Sequence, residues 1–266
     1  IDRRIKMDIK EFENCIAEKK PVENAEKEWN GRSKIFFERT EKIYEEFSQD
    51  FVFKVIREKK LLNGNSKVLD IGCGTGRHLK EFSQYTPHLH GLDISSEMLE
   101  YAKEKLKDIP QARFFHGNWL DIFTKEKEYD FVFACMTPAI SSSEHLKRMS
   151  YISKKYCMLE RFVYQKDNIQ EQIEKILGRP YIHIPHNRKE YVYGVWNILW
   201  QLNYYPEILF DNKVHTVENE IDEYMEYFNG TDKEKKAVLN FLNGAAKNGI
   251  ITASTRTVKA VILWEV

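Results

Sequence analysis

Asp70 is followed by three glycines at alternate positions, Gly72, Gly74 and Gly76, with Cys73 and Thr75 between them. Glycine has no Cβ, so such a run turns sharply and lets the backbone approach a ligand closely. Arg77 to Phe82 then has helical character, which delivers the free N–H groups of a helix N-terminus to the same place. Asp93, 17 positions after Gly76, is a second acid of the kind that accepts hydrogen bonds from both hydroxyls of a ribose. These residue types in this order describe nucleotide binding.

The elements that must position them are legible in the flanking pattern. Lys67-Val68-Leu69-Asp70-Ile71 is a short apolar, β-branched run that suits a parallel strand covered on both faces. Leu89 to Ser95 reads as a second strand ending in Asp93, and Ser95 with Glu97 opens a capped helix. Two more short strands follow, Ala112 to Trp119 and Tyr129 to Met136. Alternating strands and helices predict an α/β fold with a parallel sheet. The glycine spacing G-x-G-x-G departs from the dinucleotide form G-x-G-x-x-G, which sets an NAD-dependent dehydrogenase well back.

With Asp70 in front, the D-x-G-x-G-x-G form and the strands behind it resemble the class I S-adenosylmethionine (SAM)-dependent methyltransferases, over about 70 residues from Lys67 to Met136. The resemblance implies a three-layer Rossmann-like sandwich whose seven-stranded sheet is mostly parallel with an antiparallel last strand. An N-terminal helical extension and a helical insertion before the last strand complete it. It implies one methyltransferase domain over residues 1–266: a helical lid at 1–65, a SAM-binding core at 66–165, and at 166–266 the remaining sheet with a helical substrate cap.

By the same resemblance, Asp70 and the loop Gly72, Cys73, Gly74 and Gly76 face the methionine moiety of SAM. Asp93 takes the ribose and Ile94 packs on the adenine. Asn118 stands where many relatives carry an aspartate for the adenine amino group; an amide oxygen also accepts. Trp119 would cover the adenine edge and Cys135 would face the reactive end, though core packing accounts for these two equally well. Tight-turn and helix-cap roles are the bland alternatives for the glycines, Asp70 and Asp93.

Composition narrows the partners. Lys+Arg and Asp+Glu both number 41, so the formal charge is zero and nothing favours a nucleic-acid substrate, which would call for a basic face. No apolar run approaches the ~20 residues of a membrane span, and no signal peptide is read. Cys15, Cys73, Cys135 and Cys157 lie far apart without a C-x-x-C, as expected of reduced thiols in the cytoplasm. The chain opens on Ile1 and Met7 is a plausible start; residues before Met7 carry no part of the functional argument.

Outside the core, Phe36, Ile43, Phe47, Phe51 and Val55 recur at helical spacing, which predicts a helix packed on the sheet's edge. Trp29, Arg32 and Tyr44 are pocket candidates, because relatives use such an extension as a lid. Tyr156 to Tyr164 would be the fifth strand and Asn168 to Leu177 an amphipathic helix ended by Gly178 and Pro180. The last two strands are expected at Glu207 to Val214 and Val258 to Val266, with a helical insertion from about Val217 to Lys247. Tyr191, Tyr193, Trp196, Trp200 and Tyr204 place an aromatic stripe on one helix. Core packing explains such a stripe well; an aromatic wall for a small organic acceptor, with Trp196 and Trp200 exposed to it, is the functional alternative.

His183 and His186 could serve as a base or, with His215 or Cys135, bind a metal. Pro185 between them argues against one helical face, and no metal is expected. Arg161 and Arg188 could grip a carboxylate, or make salt bridges. Thr137 and Ser141 to Ser143 could line the acceptor site or form a turn and a helix cap, Ser141 to Glu144 reading as a capped helix start. The [D/N]-P-P-[Y/F] motif of nucleobase amino-methylating relatives is replaced by Cys135-Met136-Thr137-Pro138-Ala139, and the Pro-Cys of cytosine C5 enzymes is missing. The expected function is methyl transfer from SAM to a small molecule, yielding S-adenosylhomocysteine. The alternatives are a protein or RNA methyltransferase and a non-catalytic SAM-binding module.

Overall fold

A computed structural model describes residues 8–17, 24–42, 50–181, 188–226 and 228–266. Its seven strands are β1 (Val68–Ile71), β2 (Leu89–Asp93), β3 (Arg113–His116), β4 (Tyr129–Cys135), β5 (Ser153–Asp167), β6 (Glu207–Glu220) and β7 (Ile250–Glu265). They form one sheet in the order β3-β2-β1-β4-β5-β7-β6. Strands β1 to β5 pair in parallel, with Val68 opposite Leu89 on one side and Phe131 on the other. The last strand is antiparallel: the N–H of Val266, just past its end, reaches the carbonyl of Lys155 near the start of β5 at 2.9 Å.

This order has a physical consequence for the site. The chain builds outward from β1 through β2 to β3, then returns and builds the other way from β4. The connections leaving β1 and β4 therefore diverge, and a crevice opens at their carboxyl ends. All four residues of β1 are buried, as a strand covered on both faces requires.

The helices among the described residues are α1 (Ile9–Ile16), α2 (Ala25–Lys42), α3 (Phe51–Lys59), α4 (Arg77–Phe82), α5 (Ser96–Lys105), α6 (Trp119–Ile122), α7 (Ser143–Ile152), α8 (Asn168–Leu177), α9 (Lys189–Gln201), α10 (Ile221–Met225) and α11 (Asp232–Ala245). Serine caps begin α5 and α7: Ser95 Oγ accepts from Met98 N and Ser142 Oγ from His145 N. Asp167 and Gln170 form a reciprocal capping box on α8, and Gly178 ends that helix at φ +65°.

The chain divides into two compact units. The first comprises residues 1–161, 190–209 and 261–266; the second, 162–189 and 210–260. In the first, α3 and α4 present Val52, Phe53, Ile56, Leu79 and Phe82 to Phe131 and Phe133 of β4. Phe82 meets Phe131 and Phe133 edge-on at 5.8 and 5.3 Å, the arrangement that aromatic quadrupoles favour. The second unit has its own small core, in which Ile169 and Ile173 of α8 pack with Val238 and Leu242 of α11, Tyr224 and Ile251.

Several expected boundaries shift; strand β3 stops at His116, and Trp119, expected in that strand, opens α6. Strand β5 is longer than Tyr156–Tyr164 at both ends. Strand β6 continues through Glu220, so the expected insertion from Val217 is strand at first and becomes helical only at Ile221. Strand β7 begins at Ile250, eight residues before Val258. The N-terminal periodicity divides into α2 and α3, with Ile43, Tyr44 and Phe47 outside the described residues.

Candidate cofactor site

The glycine loop leaves β1 with Gly72, Gly74 and Gly76 at φ +72°, +53° and +75°. That left-handed region is costly for any residue with a Cβ. The loop is tied to β2: Gly72 N and Cys73 N donate to Leu92 O at 2.8 and 2.9 Å. A Cβ on Gly72 would lie 2.3 Å from Thr137 Oγ1, and one on Gly76 2.9 Å from the Ala102 Cβ. Two of the three glycines thus make room for the protein itself. Only Gly74 would carry a Cβ without such overlap, its nearest neighbour being the Phe36 ring at 3.6 Å. Cys73 faces the interior beside Gly91, and burial, with Asp93 and Asp70 nearby, pushes its thiol well above the usual range.

Asp93 organises this turn. Its Oδ2 accepts from Gly74 N and its Oδ1 from Ser95 N, each at 2.8 Å. Burial raises its pKa while the backbone N–H groups of Ser95, Gly74 and Ile94 oppose the rise. Each carboxylate oxygen has a second lone pair, so the group can bind a ligand hydroxyl without giving up the loop. Asp70 is 1% exposed. Its Oδ2 has no hydrogen-bond partner among the described residues, nor does the buried Thr75 Oγ1. Burial, reinforced by Asp93 and opposed by Arg77, raises the Asp70 pKa to about 8. Two orphaned polar atoms, one on β1 and one in the loop that follows it, fit a polar, cationic group such as the amino-acid end of SAM.

On the far side of Asp93, Ile94 is 36% exposed, open to an aromatic ligand face. His116, unremarked in the sequence, holds this edge: its Nε2 lies 3.0 Å from Ile94 O and 2.9 Å from Glu26 Oε1. Asn118 caps α6, its side-chain oxygen accepting from Leu120 N. Trp119 is buried and donates from Nε1 to Ala139 O at 3.2 Å.

Helix α2 docks above α5. Asn30 Oδ1 accepts from Ser95 Oγ at 2.6 Å, and Ser33 Oγ donates to Glu97 Oε2 at 2.7 Å. Phe37 stacks on Tyr101 at 4.3 Å, and Lys105 pairs with Glu41. Of the named lid residues, Arg32 bonds Glu28 at 2.7 Å and lies 5.7 Å from the Trp29 ring. Tyr44 is outside the described residues. Asn30, which no spacing rule singled out, bonds Ser95, and Phe36, read from its spacing as edge packing, instead reaches the loop at Gly74.

At the end of β4, Cys135 Sγ lies 3.0 Å from Glu160 Oε2. Arg161 donates to the carbonyls of Thr137 and Ile140 and covers the Tyr191 ring at 4.3 Å, while Tyr191 OH donates to Ile140 O at 2.7 Å. These bonds stitch α9 to the loop after β4 and commit the Arg161 guanidinium. Thr137 is buried against Gly72. The aromatic stripe divides: Tyr191 is buried with Val195, Ile198 and Leu199, whereas Trp200 is 47% exposed. Trp196 and Trp200 lie 6.0 Å apart. Arg188 directly precedes α9, and His183 and His186 lie outside the described residues.

The sheet order, the loop after β1 and the acid at the end of β2 define a Rossmann-like nucleotide-binding domain. Residues 68–154 match the family described as "Methyltransferase domain". The chain is 32% identical over 106 residues to malonyl-[acyl-carrier protein] O-methyltransferase 1 of Ilyobacter polytropus, covering 38% of this chain and 39% of that one. It is 33% identical over 82 residues to demethylmenaquinone methyltransferase of Staphylococcus saprophyticus, covering 30% and 35%. The chain thus spans less than two-fifths of the length of these curated relatives. A solved structure, magnesium protoporphyrin IX methyltransferase from Synechocystis with bound S-adenosylhomocysteine, aligns at TM-score 0.44 and 16% identity, covering 86% of this chain and 95% of that one. The family match over residues 68–154 and these relatives support a class I SAM-dependent methyltransferase domain in that part of the chain.

Proposed function

We propose that the protein transfers a methyl group from SAM to a small-molecule acceptor. The observation that carries this reading is the pair of carboxylates flanking the glycine loop: Asp70 of β1 with a buried, unpartnered oxygen, and Asp93 at the end of β2 holding Gly74 N and Ser95 N. Asp70 would take the ammonium of SAM and Asp93 the ribose hydroxyls, with Ile94 against the adenine and Asn118 at its edge. SAM supplies an electrophilic methyl carbon on a positive sulfur, so an O, N, S or C nucleophile displaces S-adenosylhomocysteine in line. The protein's part is to align the reactants at ~3 Å and exclude water.

Helix α9 supports an acceptor wall, since Arg161 and Tyr191 fasten it to the loop leaving β4 and its Trp200 is open. The zero net charge supports a small acceptor over RNA. Residues 1–65 as a lid and 166–266 as a cap remain parts of this proposal. No disulfide joins the four cysteines, in accord with work in the cytoplasm, and no helix among the described residues is long and apolar enough to cross a membrane. Calorimetric titration with SAM, S-adenosylhomocysteine and NAD tests the reading. Binding of the first two and not of NAD is expected, and failure of both SAM-type ligands would sink it. Methylation of fractionated metabolites, protein and RNA with labelled SAM then separates the acceptor classes.

A further inference from the structure

His78, Cys135 and Glu160 come from three different elements and meet on one face of the sheet. His78 is the second residue of α4, Cys135 the last of β4, and Glu160 lies in β5 directly opposite Cys135 in the parallel register. Register partners project to the same face, so the thiol and carboxylate stand side by side, with Sγ 3.0 Å from Oε2. The His78 ring lies 5.0 Å from that of Phe133, two residues before Cys135 and therefore on the same face. One ligand atom from each of the three lies within 4.8 Å of the others. Glu160 is 1% and His78 8% exposed.

We propose that these three residues bind a divalent transition-metal ion of the zinc type. The donor set decides the class. A thiolate and an imidazole select against magnesium and calcium, which prefer all-oxygen shells, and favour zinc or its close congeners. Three protein ligands leave a tetrahedral ion one open position, the arrangement of sites that also take water or a ligand heteroatom. A divalent ion also offsets the cost of burying the Glu160 carboxylate. The ligands stand on rigid supports: Met136, at φ +49°, donates its N–H to Glu160 O at 3.1 Å and so pins the end of β4 beside β5. Binding releases the Cys135 thiol proton to solvent. Cys135, which the resemblance sets at the reactive end of SAM, is here a metal ligand, while Asp70, Asp93 and the glycine loop contribute none, so metal uptake can be read without SAM. The histidines singled out in the sequence, His183 and His186, take no part in it.

The test is titration of the metal-stripped full chain with Co²⁺ alone, followed by absorption. One equivalent is expected to bind, giving a thiolate-to-cobalt charge-transfer band in the near ultraviolet that Zn²⁺ abolishes on displacement. Cys135→Ser should remove the band, and His78→Ala and Glu160→Gln should each weaken binding at least about tenfold. Should the serine variant fail to fold, stoichiometric Zn²⁺ should protect Cys135 of the wild-type chain from alkylation, as mapped by peptide mass spectrometry. Absence of stoichiometric uptake, a band that survives Cys135→Ser, or unprotected Cys135 overturns the site. SAM titration of the same samples keeps the two readings apart, since metal uptake without SAM binding overturns only the functional proposal.

Discussion

At the scale of the residue, Asp70 and Asp93 divide two tasks that one loop needs. Asp93 is held by backbone donors, so replacing it loses ligand hydrogen bonds and releases the loop. Asp93→Ala is expected to weaken SAM binding by at least ~1–2 kcal/mol, and unchanged affinity by calorimetry would remove the ribose assignment. Asp70 gives a pH signature. Folded, burial raises its pKa to about 8, against 3.8 for an ordinary aspartate. Between those values the folded state binds more protons than the unfolded one, so the Asp70 contribution to apo stability falls as pH rises. Asp70→Asn should lack that fall in urea midpoints measured against pH. Pairing with the SAM ammonium requires the ionised carboxylate, so below pH 7 binding should expel one proton and tighten about tenfold per pH unit. Above about pH 8 the free amino group of SAM itself deprotonates, which turns affinity down again. Calorimetry in buffers of different ionisation enthalpy reads the released proton. If Asp70→Asn expels it equally, Asp70 is not the group that titrates.

At the scale of the element, the loop's glycines are unequal. Alanine at Gly72 or Gly74 meets the strain of positive φ, which costs more than about 1 kcal/mol. At Gly72 its Cβ also collides with Thr137, an overpacking cost of about 1–3 kcal/mol more. Gly72→Ala should therefore destabilise more than Gly74→Ala in denaturant unfolding, and Thr137→Ala should recover part of the difference as a coupling energy. Equal losses would mean that backbone strain alone decides both. The helix caps at Ser95, Ser142 and Gly178 and the strands β1 to β4 were legible in the sequence, because each rests on local spacing and residue type. The long ends of β6 and β7 were not. In β7 the alternating buried positions are Ile251, Ala253, Thr255 and Thr257, only one of which is a large apolar residue, so the period of two leaves little hydropathy signal. The extension of β6 is largely exposed and carries no apolar alternation. Likewise the acids and glycines of the cofactor loop could be read from spacing. The places of Asn30, Phe36 and Glu160 could not, since packing and register bring them there from distant segments.

At the scale of the molecule, every residue assigned a cofactor role lies in the first compact unit, within residues 1–161. A ligand stabilises by mass action the folding unit that contains its contacts. SAM at one hundred times its Kd should add about 2.7 kcal/mol to that unit, which for a unit of this size raises the melting temperature by roughly 5–10 °C. If heating resolves two transitions, this reading requires the shift in the one that reports the first unit, which holds Trp119 and the aromatic cluster around Phe82. Asp70→Asn and Asp93→Ala should each shrink the shift at fixed SAM concentration, because each lowers affinity without touching the core of the second unit. NAD at the same concentration should leave the curve in place, since the loop reads the spacing G-x-G-x-G and offers Asp70 to a cation where a dinucleotide would bring pyrophosphate. A shift by NAD equal to that by SAM, or a SAM shift indifferent to both carboxylate variants, would show that stabilisation comes from some other surface than the turn from Asp70 to Gly76.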